Sequence, residues 1–358
     1  MREKKSVVEV ASGTLPPLLG LITTLLLLDY FGSVLNTYVA QWDLSRRYVD
    51  DASYVEFVLH RFHPSGQALI LLGGSVTREG VPDDLHLAEL LQTAVAVPVD
   101  VRNLAYSSFS PIEAVAIVDT LDAPRGTVVA LQLSWQNLVE SGRDLDALVR
   151  RPRIAHLDWT SVLDSASLGT RLEVALTPSL IRNSAVIANY LDQRDCDWLN
   201  LLTQAEREVC LRPMIAQRNF YSVESRQLES EKQASVAIAH AELRPLVQQN
   251  HQFTEAVYAR FIERSVTRGF HPVLMIFPRD PTETMAIAAH QLDVIERGAM
   301  KRLSELTEVI DLRDVDGLLA EDFADPLHLL ESGRAKISVL VADRIGDIIE
   351  RTGRRSST

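Results

Sequence analysis

Short apolar runs alternate along this chain with longer stretches in which apolar residues recur every three or four positions. QALILLGG, 67–74, is apolar without alternation, the pattern of a strand buried on both faces. Comparable runs lie in VPVDVRNLAYSS (97–108), GTVVALQLSW (126–135), HPVLMIFPRDP (271–281) and EVIDLRDV (308–315). Pro278 and Pro281 stop the fourth, because proline cannot donate to a ladder. SPIEAVAIVDTLD (110–122) reads as a helix, with Ser110 as its N-cap and Pro111 at the first helical position. SGRAKISVLVADRIGDIIERTG (332–353) reads as a closing helix, followed by a frayed tail. Strands alternating with helices predict an α/β fold, with a five-stranded, mostly parallel sheet covered on both faces. The rhythm breaks between about Glu140 and Arg268, where a long and mostly helical pattern reads as an insertion between the third and fourth strands.

The N-terminal pattern is different. MREKK carries Arg2, Lys4 and Lys5, and LPPLLGLITTLLLLDYFGSVL follows, Leu15 to Leu35. The uncharged core, Leu15 to Leu28, has 14 residues, and its flanks extend it to the roughly 20 needed to span a bilayer. Tyr30, Phe31, Tyr38 and Trp42 suit an aromatic belt, and the basic start places the N-terminus inside. A cleavable signal peptide is the competing reading, but no small-x-small cleavage site follows the apolar core. Residues 1–42 are therefore expected to be a single-pass anchor, crossing the lipid bilayer through 13–35. A helical connector would occupy 43–66, and an α/β domain 67–139 and 269–353, with 140–268 as the helical insertion. Everything after the anchor would lie outside the cytoplasmic membrane. In an oxidising compartment Cys196 and Cys210, with 13 residues between them, can close a small disulfide loop. The alternative is two buried thiols.

Charge narrows the partners. A formal net charge of -12 repels a polyanion, so nucleic acid is not an expected partner. The cysteine spacing does not suit a metal site and no histidine cluster accompanies it. GGSVTREG lacks the Gly-Lys-Ser/Thr end of a phosphate-binding loop and the three-glycine dinucleotide fingerprint. No cofactor is expected.

In open parallel sheets, reactive groups gather beyond the carboxyl ends of the strands. Those ends carry Ser75, then Asn103, then Ser134 and Asn137, then Arg279 and Asp280, and after the fifth strand Asp325 and His328. A serine hydroxyl is a weak nucleophile until an imidazole takes its proton and a carboxylate holds that imidazole in the useful tautomer. Asp325 lies three residues before His328, so one loop can supply both. Taken alone, Ser75 is also a plausible N-cap, Asp325 a turn residue, and Arg279 and Asp280 ordinary loop residues.

The order GGSVT, NLAYSS, LQLSWQN, DPLHL resembles the SGNH (GDSL-like) hydrolase superfamily, and the anchored form with a helical insertion looks most like its membrane-tethered branch. That branch includes proteins of alginate O-acetylation and lipoteichoic acid D-alanylation. The resemblance implies a three-layer α/β/α, flavodoxin-like architecture, with Ser75 as nucleophile and Asp325 and His328 as the Asp-x-x-His pair. It also implies oxyanion or substrate contacts from Gly74, Asn103, Ser108, Ser134 or Asn137. The expected activity is a serine O-acyltransferase or esterase in the bacterial cell envelope, acting on ester-linked acyl groups of a surface glycan or polymer. A membrane-bound O-acyltransferase would be its partner. A non-catalytic scaffold that binds a glycan or a membrane partner is the alternative. Three departures stand out. Gly-Gly-Ser replaces Gly-Asp-Ser, Ser108 stands where glycine is usual, and no Gly-x-Asn-Asp follows the third strand.

Overall fold

The computed structural model describes residues 63–356 apart from 65, 83, 96, 155, 156, 178–224 and 314–316, together with a few isolated earlier positions. Strands β1 (Gln67–Leu72), β2 (Val99–Asn103), β3 (Val128–Gln132), β4 (His271–Ile276) and β5 (Glu308–Asp311) form one parallel sheet in the order β2-β1-β3-β4-β5. Each strand stops several residues short of the apolar run that announces it. Residues just beyond the ladder, such as Leu104, Leu133 and Phe277, stay buried and lead into the loops at the carboxyl end of the sheet.

The continuous apolar run of β1 is explained by two separate cores. Ala68, Ile70 and Leu72 face one, and Leu69 and Leu71 face the other, as successive side chains of a strand must. Helices cover both faces. On the second face α2 (Asp84–Val95) packs through Leu87 and Leu91. On the first, α3 (Pro111–Thr120) buries nearly its whole length. Its start follows from local chemistry: the Ser110 hydroxyl accepts from the Ile112 amide, Glu113 reaches back to the Ser110 amide at 3.0 Å, and Pro111 occupies the first turn.

After β3 the chain makes a 3-10 turn (Trp135–Val139) and runs through α4 (Gly142–Arg150) and α5 (Leu168–Leu176). It returns in α6 (Glu229–Thr267), a 39-residue helix. The C-terminal half of α6 buries Tyr258, Phe261 and Ile262 in the same core as Ile70, Val129 and Leu274. This part of the inserted stretch, α6, thus belongs to the sheet's covering layer. Helices α7 (Pro281–Ala289) and α8 (Leu292–Ser304) connect β4 to β5, and α9 (Glu331–Ser356) closes the fold beside α2. Gly346 permits that contact, since a Cβ there would lie 3.2 Å from both Ala94 Cβ and Val95 Cγ1.

The expected disulfide of Cys196 and Cys210 lies outside the described residues, as do the greater part of the expected anchor and connector. Among the described residues, no helix is long and apolar enough to cross a membrane.

Candidate active site

The carboxyl end of β1 delivers Ser75. Beyond Leu72 the chain passes Gly73 and Gly74 into α1, a six-residue helix, Ser75–Gly80. Gly73 is required by close approach. A Cβ there would sit 2.3 Å from Thr77 Oγ1 and 2.7 Å from Gln132 Cβ. The Gly74 carbonyl accepts from the Thr77 and Arg78 amides, and no protein acceptor takes the Ser75 N–H among the described residues. That N–H therefore stands as one of the unsatisfied donors of a helix start, pointing where negative charge is favoured.

The loop between β5 and α9 delivers the other two groups. Asp322 to Leu330 fold back on themselves: the Leu330 amide donates to the Asp322 carbonyl at 2.7 Å and the Ala324 amide to the His328 carbonyl at 2.8 Å. Inside this hairpin-like turn Asp325 Oδ1 accepts from the amides of Leu327 and His328, both at 2.8 Å. Asp325 Oδ2 lies 2.7 Å from His328 Nδ1, and His328 Nε2 lies 2.7 Å from Ser75 Oγ. Burial opposes ionisation of Asp325, but the bonds from His328 and the two amides outweigh it and hold the carboxyl below its ordinary value. An ionised carboxylate only accepts, so Nδ1 carries the proton and Nε2 accepts from the serine hydroxyl. Burial likewise disfavours the imidazolium, yet the bond and charge of Asp325, with a contribution from Glu79, raise the His328 pKa above its ordinary value. Both side chains are half-buried, with 14 and 13 % exposure for His328 and Asp325.

The other predicted positions fare differently. Asn103 was expected as an oxyanion donor, and its amide is spent elsewhere. It donates to the carbonyls of Val81 (2.7 Å) and Thr77 (3.2 Å) and accepts from the Ala105 amide, so it clamps α1 onto the end of β2. Ser134 and Asn137 hydrogen-bond each other at 2.5 Å, Ser134 being buried. The Gly74 amide is occupied by Gln132. Ser108 is exposed, with φ +59, the left-handed conformation that glycine adopts without cost. Asp280 is not an ordinary loop residue. It is buried and paired with Lys232. Arg279 pairs with buried Glu296.

Gln132 was missed by sequence reasoning. It ends β3 directly beside the Gly73–Ser75 turn. Its Oε1 accepts from the Gly74 amide at 2.9 Å and from Thr77 Oγ1 at 2.8 Å, and its backbone carbonyl accepts from Tyr258 of α6 at 2.8 Å. Those bonds fix which way the carboxamide faces. Its Nε2 has no partner among the described residues and is not one of the buried unpartnered atoms, so it reaches solvent. The readable signal was a glutamine closing the otherwise apolar run VVALQ.

Among the described residues, no group of three or more His, Cys, Asp or Glu side chains is arranged to hold a metal ion. No family model matches the sequence, and comparison with curated proteins gives no match. The functional reading therefore rests on the geometry of Ser75, His328 and Asp325.

Proposed function

We propose that this chain is a serine-dependent acyl-transfer enzyme of the SGNH type, tethered to the cytoplasmic membrane by its N-terminal apolar segment and working on its outer side. The observation that carries the reading is the unbroken chain of two 2.7 Å hydrogen bonds, Ser75 to His328 to Asp325. That spacing already lies within the range of a competent nucleophile and base. In the first half-reaction Ser75 Oγ attacks the carbonyl carbon of an acyl ester while His328 Nε2 takes the hydroxyl proton. The tetrahedral adduct then expels the donor's oxygen, which leaves with the proton from His328. In the second half, an acceptor hydroxyl gives its proton to His328 and attacks the acyl-Ser75 ester. Ser75 departs and recovers its proton. A glycan hydroxyl as acceptor makes the enzyme a transferase, and water makes it an esterase.

The oxyanion of each adduct would meet the Ser75 N–H and the Gln132 amide. Tethering would hold the domain at high effective concentration beside a membrane-bound O-acyltransferase that delivers the acyl group to a surface polymer. The test is Ser75→Ala in cells, with a fluorophosphonate probe on the purified chain. The reading expects loss of polymer acylation and loss of labelling. Unchanged acylation together with unchanged labelling would sink it.

A further inference from the structure

We propose that Lys232, in the first turn of α6, is a positioning residue that holds the Asp325–His328 loop against Ser75. The inference rests on the acyl-transfer reading and adds a role for the inserted segment. Lys232 is 1 % exposed and so is Asp280. Lys232 Nζ donates to Asp280 Oδ2 at 2.7 Å and, more weakly, to the Ala320 carbonyl at 3.4 Å. Asp280 Oδ1 accepts from the Thr282 amide, which fixes the carboxylate at the head of α7. The Asp280 backbone amide then donates to the Pro326 carbonyl at 3.0 Å, between Asp325 and His328 in sequence. A second tie runs in parallel: the Gln227 amide, just before α6, donates to the Ala324 carbonyl at 2.8 Å. The loop that carries the acid and the base therefore hangs between two bonds, one on each side of Asp325. Lys232 joins three separate segments: α6, the turn after β4, and the stretch leading into the loop.

Stability alone is a poor reason for such a pair. Removing an ammonium and a carboxylate from water is costly, and well-packed apolar residues often do as well or better. A pair of that cost, placed where it fixes the backbone between Asp325 and His328, is accounted for by position. The hydrogen bond from Ser75 Oγ to His328 Nε2 tolerates little movement, and a shift of about 1 Å in reacting groups can cost roughly 100-fold in rate.

The experiment measures turnover of p-nitrophenyl acetate by the full chain, with kcat, KM and melting temperature for wild type, Ser75→Ala, Lys232→Met, Asp280→Asn and the double variant Lys232→Met/Asp280→Leu. Asp280→Asn keeps the backbone bond to Pro326 but leaves the buried ammonium without a counter-charge, so it reads the pair even where the double variant folds poorly. The expected result is a fall in kcat of about 10- to 100-fold in both single variants with KM within about threefold. The double variant leaves no unpaired buried charge but gives up the Asp280 cap on the Thr282 amide, so it should recover part of the melting temperature lost in the single variants while kcat stays low. If kcat recovers together with the melting temperature, or if the single variants keep wild-type kcat, Lys232 is only a structural residue and the inference is overturned. If the wild-type chain shows no turnover that Ser75→Ala removes, the acyl-transfer reading fails, and this inference with it.

Discussion

His328 can take the Ser75 proton only while its imidazole is neutral. Asp325 lifts the His328 pKa above the ordinary 6.5, so activity should rise with pH along an acid limb centred above that value. Asp325→Asn removes both the charge and the strong acceptor. We expect the limb to move downward and kcat to fall by about 10⁴-fold, the order seen when a triad carboxylate is replaced by its amide. A pH–rate profile of both proteins checks this, and an unmoved limb would show that Asp325 does not govern His328. The same couplings have a sign in stability. The raised His328 contributes stability below about pH 6.5 that is lost as pH rises through its folded value. The depressed Asp325 contributes above about pH 3.8 and is lost as pH falls through its folded value. These three residues were legible because one rule fixes their places: serine at the first strand end, Asp-x-x-His before the last helix. Asn103 obeyed the same rule and does something else. A strand-end asparagine can face the substrate or its own backbone, and only the positions of Thr77 O and Val81 O decide between them.

At the scale of elements, the site is a junction of three strand ends. The β1–α1 turn is fastened to β2 through the Tyr106 amide on the Gly73 carbonyl, and to β3 through Gln132. Gln132→Glu separates the two roles of that side chain. The carboxylate still accepts from Gly74 and Thr77, so the junction should fold, with a melting temperature near wild type. It presents no N–H to an oxyanion. We expect kcat to fall by about 100- to 1000-fold at pH values above the His328 limb, the magnitude for loss of one oxyanion donor. A plateau kcat within tenfold of wild type would leave Gln132 a fastening residue alone. Junctions of this kind are poorly written in sequence. The apolar runs located all five strands, because a strand buried on both faces leaves little choice of residue. They overran every carboxyl end, since residues such as Leu133 and Phe277 continue the apolar pattern after the ladder has stopped. The helical character of the segment before β4 was also visible, but not the single 39-residue α6. Pro245 sits inside it, and proline ordinarily ends or kinks a helix.

At the scale of the molecule, the sheet divides the interior of the described residues into two cores, and the first is completed by residues from the inserted stretch. Read along the sequence, 140–268 is a helical insertion between the third and fourth strands, and the pattern leaves open how it packs on the sheet. In the structure Phe261 of α6 is fully buried, and it shares a cluster with Ile70 of β1, Val129 of β3 and Leu274 of β4. Sequence pattern does not reveal which core an apolar face will join, because partners such as Ile70 and Val129 lie more than a hundred residues away. The physical consequence is cooperative. A helix that supplies one wall of the main core cannot melt without exposing the sheet's first face to water. Phe261→Ala should therefore destabilise the global fold by about 3–5 kcal/mol, the range for removing a large buried aromatic. The check is native-state hydrogen exchange on the amides of β3 and β4 alongside those of α6. If the insertion were an independent unit, only the α6 amides would lose protection. The shared core predicts that all three lose it together and by a similar free energy, so the walls of the candidate active site open with the sheet that carries it.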